Sequence, residues 1–529
     1  MTAQTKTVTV LAAGWVALFA AIAFTRPLMP VDETRYLTVA WEMLVRHDWV
    51  LPTLNFAPYS HKPPMLFWLV RIAWSVFGVG LWQARLVPLA LGAALAFISA
   101  RLARRLFDSR AAVYAALALG MMPMLLIYAS TIMFDVMMAV WVVAAMLTLW
   151  RIATEGRTKL WFAWGAILGG AALAKGPVAL VYILPAALLA PFWAPPQKWA
   201  RWYGCVLGGV LMGTAIGLAW AVPAALSGGG AYAEKIFVTQ SAGRMVNAFA
   251  HRRPFWFYIP VVLALLAPLL AWPTMWAAAR RFMRAPDARA PIRFIACWVV
   301  PAFVFFSAIS SKQFHYMLPL MPGVAILAGA ALARADEGGA WPRPRSAVWP
   351  ILLMLVPTLG VMGAEALHLP LMGVRLDRGA EIFGLGPVML AAGLIWWLGR
   401  DPAHASGRAP VTIVLAAFSL AIFMHLQTGA RFLPRYDMRP IASAAQDFMT
   451  RPMAVAPKYD GEYGFLFRMR APFDSIGRED VESWLKAHPD GVVVARYDHG
   501  QMPGDFRVLF TQTYRNNEDL VLLTMPKAE

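Results

Sequence analysis

Uncharged stretches long enough to cross a bilayer recur along almost the whole chain, and they constrain the fold more than any other feature. Residues 111–134, 202–233, 254–279, 294–311, 313–333, 346–364, 382–399 and 409–430 contain no Asp, Glu, Lys or Arg. A membrane-crossing helix needs about 20 apolar residues. Shorter or partly interrupted runs at 8–28, 86–104, 135–150, 160–174 and 177–194 raise the expected number of spans to thirteen. Charged residues make up 14% of the 529 and hydrophobic ones 60%, against roughly 25% charged in a soluble domain. The composition excludes a purely soluble enzyme, a disordered chain and a coiled coil. The predicted fold class is a polytopic α-helical membrane protein with interfacial helices and a small C-terminal α/β domain.

The chain carries 47 Lys and Arg against 29 Asp and Glu, a net charge of +18. In a soluble protein this balance suggests nucleic acid; here membrane topology explains it. With the N-terminus in the cytoplasm, thirteen spans place Arg101, Arg104, Arg105 and Arg110 inside, then Arg151, Arg157 and Lys159, then Lys198 and Arg201. The arginines at 280–293, 334–345 and 400–408 follow the same alternation. A miscounted span would invert every later loop. No nucleic-acid partner is therefore expected. Ala21-Ile22-Ala23 has the form of a signal-peptidase site, but the apolar stretch is long for a signal peptide, so the first helix is read as a retained anchor.

The chain thus divides into a membrane domain, 1–430, and a C-terminal domain, 431–529, placed outside by the odd span count. Residues 29–82 form a first outer loop, where Trp41, Met43, Leu44, Leu66, Phe67, Trp68 and Trp74 suggest helices lying in the interface. Residues 225–253 form a second outer loop, opened by Ser227-Gly228-Gly229-Gly230. In the last hundred residues Val492-Val493-Val494 and Leu520 to Leu523 predict strands, and Arg478 to His488 a helix. The only cysteines, Cys205 and Cys297, lie in apolar runs, which leaves no disulfide framework and no cysteine zinc site. No dinucleotide fingerprint, Walker A motif, H-E-x-x-H or C-x-x-C is present.

Five polar clusters fall at the outer interface. Asp32, Glu33, Arg35 and Tyr36 follow the first span directly. Acids there cap an interfacial helix, or serve as general bases, because desolvation raises a carboxylate's pKa. His61-Lys62-Pro63-Pro64 presents Lys62 from a stiff turn, since proline fixes its own backbone and restricts the preceding residue. The alternative is a snorkelling lysine before a helix start. Asp135, at the outer end of the fourth span, is a helix-start acid or faces a cavity. Arg244 and His251-Arg252-Arg253 stand outside, against the positive-inside trend, and suit an anion or a lipid headgroup. Ser311, Lys312, His315 and Tyr316 lie in a short outer turn. None of these sits clearly at mid-span, where a transporter would place its polar groups. The pattern describes a surface site for an anionic amphiphile.

Asp32-Glu33-Thr34-Arg35-Tyr36 followed by His61-Lys62-Pro63-Pro64 resembles the polyprenyl-phosphate-dependent sugar transferases of the GT-C class. The similarity is to the lipid A aminoarabinose transferases and the bacterial relatives of protein O-mannosyltransferases. Ala174-Lys175-Gly176-Pro177, Arg253-Pro254-Phe255-Trp256 and Ser311-Lys312 through Leu318-Pro319 follow in family order. The resemblance implies inverting transfer of a sugar from a polyprenyl-phosphate carrier to a hydroxyl or phosphate of lipid A, another envelope glycan or a protein, at the periplasmic face of the bacterial inner membrane. It implies Asp32 as the base, Asp135 as a second acid near the same cavity, and Lys62 as a contact of the carrier phosphate. Arg244 and Tyr316 match carrier-phosphate contacts more loosely. Arg35, Lys312 and His251 are further candidates for that phosphate, and Glu33 stands beside the base. His61 replaces the Glu that usually precedes Lys-Pro-Pro in the aminoarabinose transferases, so no metal ligand set is carried over and metal dependence stays open.

The implied chemistry needs no cofactor. A carrier phosphate leaves once its charge is countered, which cations supply without a general acid. The alternatives from other classes are a flippase or secondary transporter of an anionic lipid-linked substrate, and a membrane scaffold with a partner-binding C-terminal domain.

Overall fold

A computed structural model describes residues 14–18, 20–237, 253–337, 344–367, 369, 380–400, 405–429, 432–501, 505–515 and 517–526. The molecule is a helical bundle followed by a sheet-containing C-terminal region. The helices named below are α1 (Gly14–Thr25), α2 (Asp32–Val45), α3 (Met65–Phe77), α4 (Leu81–Leu106), α5 (Ser109–Gly120), α6 (Pro123–Tyr128), α7 (Phe134–Glu155), α8 (Leu160–Lys175), α9 (Ala179–Leu188) and α10 (Trp199–Gly228). Among the described residues, eight helical runs are long and apolar enough to cross a membrane. The chain is a multi-pass membrane protein.

One of the eight, Leu160–Leu188, is two antiparallel passes. Trp161 at the start of α8 and Trp193 beyond the end of α9 both pack on Trp202, at ring centroid distances of 5.1 and 6.1 Å. The chain therefore returns to the level from which it left. It turns at Gly176, whose φ of +77° is a conformation that disfavours residues with a Cβ. Two other expected spans are broken. Residues 111–134 split into α5 and α6 because Pro123 cannot donate to the preceding turn and starts a new helix. Residues 254–279 split into Tyr258–Leu265, Ala267–Leu270 and Pro273–Met283, with prolines in the first turns of the latter two.

Burial separates the centre of the bundle from its rim. The window in Phe314–Glu337 is 83% buried and that in α7 is 67% buried, against 22% for α10. Leu207 and Leu211 of α10 are bare. Its opposite side meets α8 through facing glycines, where a Cβ on Gly165 would come within 3.3 Å of the Gly209 Cα and one on Gly213 within 3.1 Å of the Gly169 nitrogen. Small residues at such seams let backbones approach closely enough for dispersion to hold helices together in lipid.

The first loop folds into α2, a two-stranded hairpin β1 (Thr53–Leu54) and β2 (Ala57–Pro58), and α3. α3 behaves as an interfacial helix: Leu66, Phe67, Val70 and Trp74 are buried, whereas Ile72, Val76 and Phe77 are exposed. α2 departs from the expectation. Trp41 and Met43 do not face lipid; Trp41 is buried and its indole N–H donates to the Met469 carbonyl at 2.7 Å. The covering surface comes from the other end of the chain.

The C-terminal sheet consists of β3 (Met453–Ala456), β4 (Asp474–Ser475), β5 (Val492–Asp498), β6 (Arg507–Tyr514) and β7 (Glu518–Thr524), ordered β4-β3-β5-β7-β6. β3 is parallel to β4 and β5, and β7 is antiparallel to β5 and β6. The helix Val481–Ala487 makes the crossover between β4 and β5. Both expected strands fall inside β5 and β7. The connection from β3 to β4 leaves the sheet and packs on the first loop. Phe465 stacks on Trp74 at 5.2 Å, and Asn55 exchanges two hydrogen bonds with Phe473, at 2.9 and 2.8 Å.

Candidate active site

Asp32 and Glu33 open α2 but point apart, as consecutive helix residues do at about 100° per residue. The Asp32 side chain is 54% exposed, with Arg35 Nη1 3.9 Å away. Glu33 turns inward and is 3% exposed. Its carboxylate accepts from Arg26 Nη2 at 2.7 Å, from the Ile132 amide at 2.9 Å and from the Met29 amide at 3.1 Å. Burial alone would raise the Glu33 pKa. The charges of Arg26 and Arg85, with the hydrogen bonds from Arg26 and Ile132, outweigh it and hold the carboxyl below its ordinary value. Arg85 is itself buried and donates to the Ile22, Ala23 and Pro27 carbonyls at 3.0–3.1 Å. It thereby satisfies the Ala23 carbonyl, whose helical partner position is Pro27 and has no N–H to donate. The start of α2 is thus bolted to α1, to α4 and to the turn before α7.

A second polar group lies across that turn. Asp135 opens α7 and is 2% exposed. Its Oδ1 accepts from the Lys175 ammonium at the end of α8, and His315 Nε2 lies 3.8 Å from the same oxygen. Lys175 also stands over the Tyr316 ring at 5.3 Å, and the His315 ring is 5.9 Å from that of Tyr128. Lys62 reaches this group from the first loop, 5.5 Å above the Phe134 ring, and its charge acts on both Asp135 and His315. Asp32 also acts on His315 and on Tyr36. Burial, with the charges of Asp32 and Asp135, pushes the Tyr36 hydroxyl well above its ordinary range, so Tyr36 keeps its proton. Five separate segments therefore bring Asp32, Lys62, Asp135, Lys175, His315 and Tyr316 to one end of the bundle.

Residues 61–225 match the family described as dolichyl-phosphate-mannose-protein mannosyltransferase. Over 535 aligned residues the chain is 26% identical to the undecaprenyl phosphate-alpha-4-amino-4-deoxy-L-arabinose arabinosyl transferase of Pseudomonas aeruginosa strain UCBPP-PA14, covering 94% of each. A second enzyme of that name, from Proteus mirabilis, is 30% identical over 318 residues, which are 57% of this chain and 55% of the relative. The fold matches the crystal structure of ArnT from Cupriavidus metallidurans bound to undecaprenyl phosphate with a TM-score of 0.72, at 21% identity and over 98% of both chains. The chain is a glycosyltransferase with a GT-C-like fold.

The other residues singled out in this glycosyltransferase fall in different places. Arg35 lies next to Asp32 but donates its Nε hydrogen to the Asp460 carbonyl at 2.8 Å. Lys312 is buried, and its ammonium donates to the carbonyls of Ile309 and Arg253, the latter at 3.1 Å; it ties two outer turns together. Arg244 and His251 lie outside the described residues. Among the described residues, no group of three or more His, Cys, Asp or Glu side chains is placed to hold a metal ion. Sequence reasoning did not single out Lys175 or His315 as site residues. Lys175 carried a signal: it is a charge between two apolar runs at a Gly-Pro turn, on the side of the other clusters. His315 carried none beyond its place in a polar turn.

Proposed function

We propose that this glycosyltransferase moves a sugar from a polyprenyl-phosphate carrier to a hydroxyl or phosphate of an envelope acceptor, lipid A or another glycan or protein, with inversion at the sugar. The observation that carries this reading is the placement of one half-exposed carboxylate, Asp32, beside a cationic group anchored in the bundle. Asp32 takes the acceptor proton as the acceptor oxygen attacks the anomeric carbon. The bond from that carbon to the carrier phosphate breaks, and its electron pair leaves with the phosphate. Lys62 offsets the charge on the leaving phosphate, with Lys175 and the His315–Tyr316 turn lining the same end. Arg244 and His251 are assigned to the carrier as well, from their place in the second outer loop. Asp135 holds Lys175 in position, and no cofactor enters the reaction.

The proposed orientation places the N-terminus in the cytoplasm, this end of the bundle and the C-terminal domain in the periplasm, and the whole chain in the bacterial inner membrane. The arginine-rich loops support it. The relatives' named donor, undecaprenyl phosphate-linked aminoarabinose, supports a lipid-linked pentose as the first donor to try. The test is transfer by purified protein from such a donor to lipid A with no nucleotide present. Transfer from a nucleotide sugar in a system free of carrier lipid would overturn the reading.

A further inference from the structure

One face of α2 beyond Asp32 meets backbone of the β3–β4 connection, more than 420 residues away in sequence. Arg35 Nε donates to the Asp460 carbonyl at 2.8 Å while its Nη1 stays 3.9 Å from Asp32 Oδ1. One turn further, the buried Thr38 hydroxyl donates to the Gly461 carbonyl at 3.0 Å and accepts from the Phe465 amide at 3.1 Å. One turn further again, Trp41 donates to the Met469 carbonyl. The fit is close: a Cβ on Gly464 would lie 2.4 Å from Thr38 Cγ2, and one on Gly461 would lie 3.0 Å from Arg35 Cα. Gly461 also has φ +95°. Three successive turns of one short helix are therefore gripped at main-chain distance. The Thr38 and Trp41 bonds are buried and that of Arg35 partly so, so the buried ones are geometrically exacting and costly to leave unmade.

We infer that residues 460–469 of the C-terminal region are a positioning element of the candidate active site, setting the place of Asp32 through Arg35 and Thr38. This rests on the reading of Asp32 as the base. The bundle side of α2 is held by Glu33 and by Tyr36, whose ring packs edge-on against Phe134 at 4.9 Å; the grip of residues 460–469 fixes the face that carries Arg35 and Thr38. A carboxylate acting as a base must lie within about 2.6–3.2 Å of the oxygen whose proton it takes, and a displacement of about 1 Å can cost on the order of a hundredfold in rate. Thr38 and Arg35 thus act through Asp32 and need not touch substrate.

The test is Thr38→Val, which keeps shape and removes both hydrogen bonds, assayed in the full chain beside Thr38→Ser, which restores them. In protein that elutes and melts as a folded species, Thr38→Val is expected to lower kcat at least tenfold with the donor KM within twofold, and Thr38→Ser to recover most of the loss. Gly464→Ala, which drives a methyl into Thr38, is expected to lower kcat in the same way. Adding Thr38→Val to Asp32→Asn is expected to lower the residual rate no further, because coupled residues do not act additively. Wild-type kcat in folded Thr38→Val, or a full multiplicative loss on the Asp32→Asn background, overturns the inference while leaving Asp32 as base. Normal turnover by Asp32→Asn overturns both.

Discussion

Glu33 and Asp135 are two buried carboxylates at the same end of the bundle, and their surroundings differ in kind. Glu33 is saturated by two backbone amides and Arg26, all within the collar that joins α1, α2 and the turn before α7. Among the described residues, Asp135 takes its partners from side chains: Lys175 directly, His315 at 3.8 Å. Backbone amides are fixed by the fold and leave the acid nothing further to do. The Lys175 ammonium keeps donors to offer, since it has three hydrogens. One carboxylate therefore builds the frame, and the other holds a cation where an anion can meet it. Asp32, next to the first in sequence, works with the second in space.

The sharpest way to break this division is Asp32→Asn, which keeps shape and removes the base. Transfer is expected to fall by about 10²–10⁴-fold, with carrier binding and fold preserved. Normal turnover at saturating donor would place the base elsewhere. Next in size is the contrast between the two buried acids. Asp135→Asn leaves the Lys175 charge without its counter-ion, which for a buried pair costs on the order of 3–5 kcal/mol, and is expected to lower turnover per folded molecule. Glu33→Gln should destabilise comparably while lowering kcat of the folded enzyme less than Asp135→Asn does. Equal kcat losses in the two, measured beside their melting temperatures, would erase the distinction.

Lys62→Ala is expected to weaken carrier binding by about 1.5–3 kcal/mol, the worth of a hydrogen bond to a charged group, roughly ten- to hundredfold in affinity. Arg244→Ala should cost less, because Lys62 is presented by a stiff Pro-Pro turn. Unchanged carrier affinity in both variants would point to another phosphate site.

The smallest effect concerns acid. The folded pKa of Glu33 lies below 4.5, so its stabilisation is present at neutral pH and is lost as pH falls below that value. Burial raises Glu42 and Glu462, despite hydrogen bonds from backbone amides to both, so their contribution has the opposite sign: it is lost as pH rises through their folded values. The collar should therefore loosen in acid while the α2–C-terminal joint tightens. Hydrogen exchange of α1 and of residues 460–469 at pH 4 and pH 7 reads the two regions separately. Parallel changes in both would contradict the assignment.

Much of the fold was legible because lipid imposes a simple rule. With no water to satisfy backbone groups, apolar runs of span length become helices. The strands at Val492 and Leu520 showed as β-branched and aliphatic runs. The broken passes at 111–134 and 254–279 were less legible, although Pro123, Pro268 and Pro273 marked the places. α2 was misread at Trp41 because an amphipathic pattern reports a buried face without saying what buries it.

The candidate site divides in the same way. The types and order of the residues already restricted the chemistry: an acid pair after the first span, a lysine stiffened by prolines and an acid at a helix start. Charge and desolvation follow from residue type and depth. Which acid faces outward, which lysine pairs with Asp135 and what covers α2 depend on contacts between residues 40 to more than 420 positions apart. No local propensity encodes those distances; only the packed bundle and the docked β3–β4 connection, by excluding water from some carboxylates and leaving Asp32 open, separate frame from chemistry.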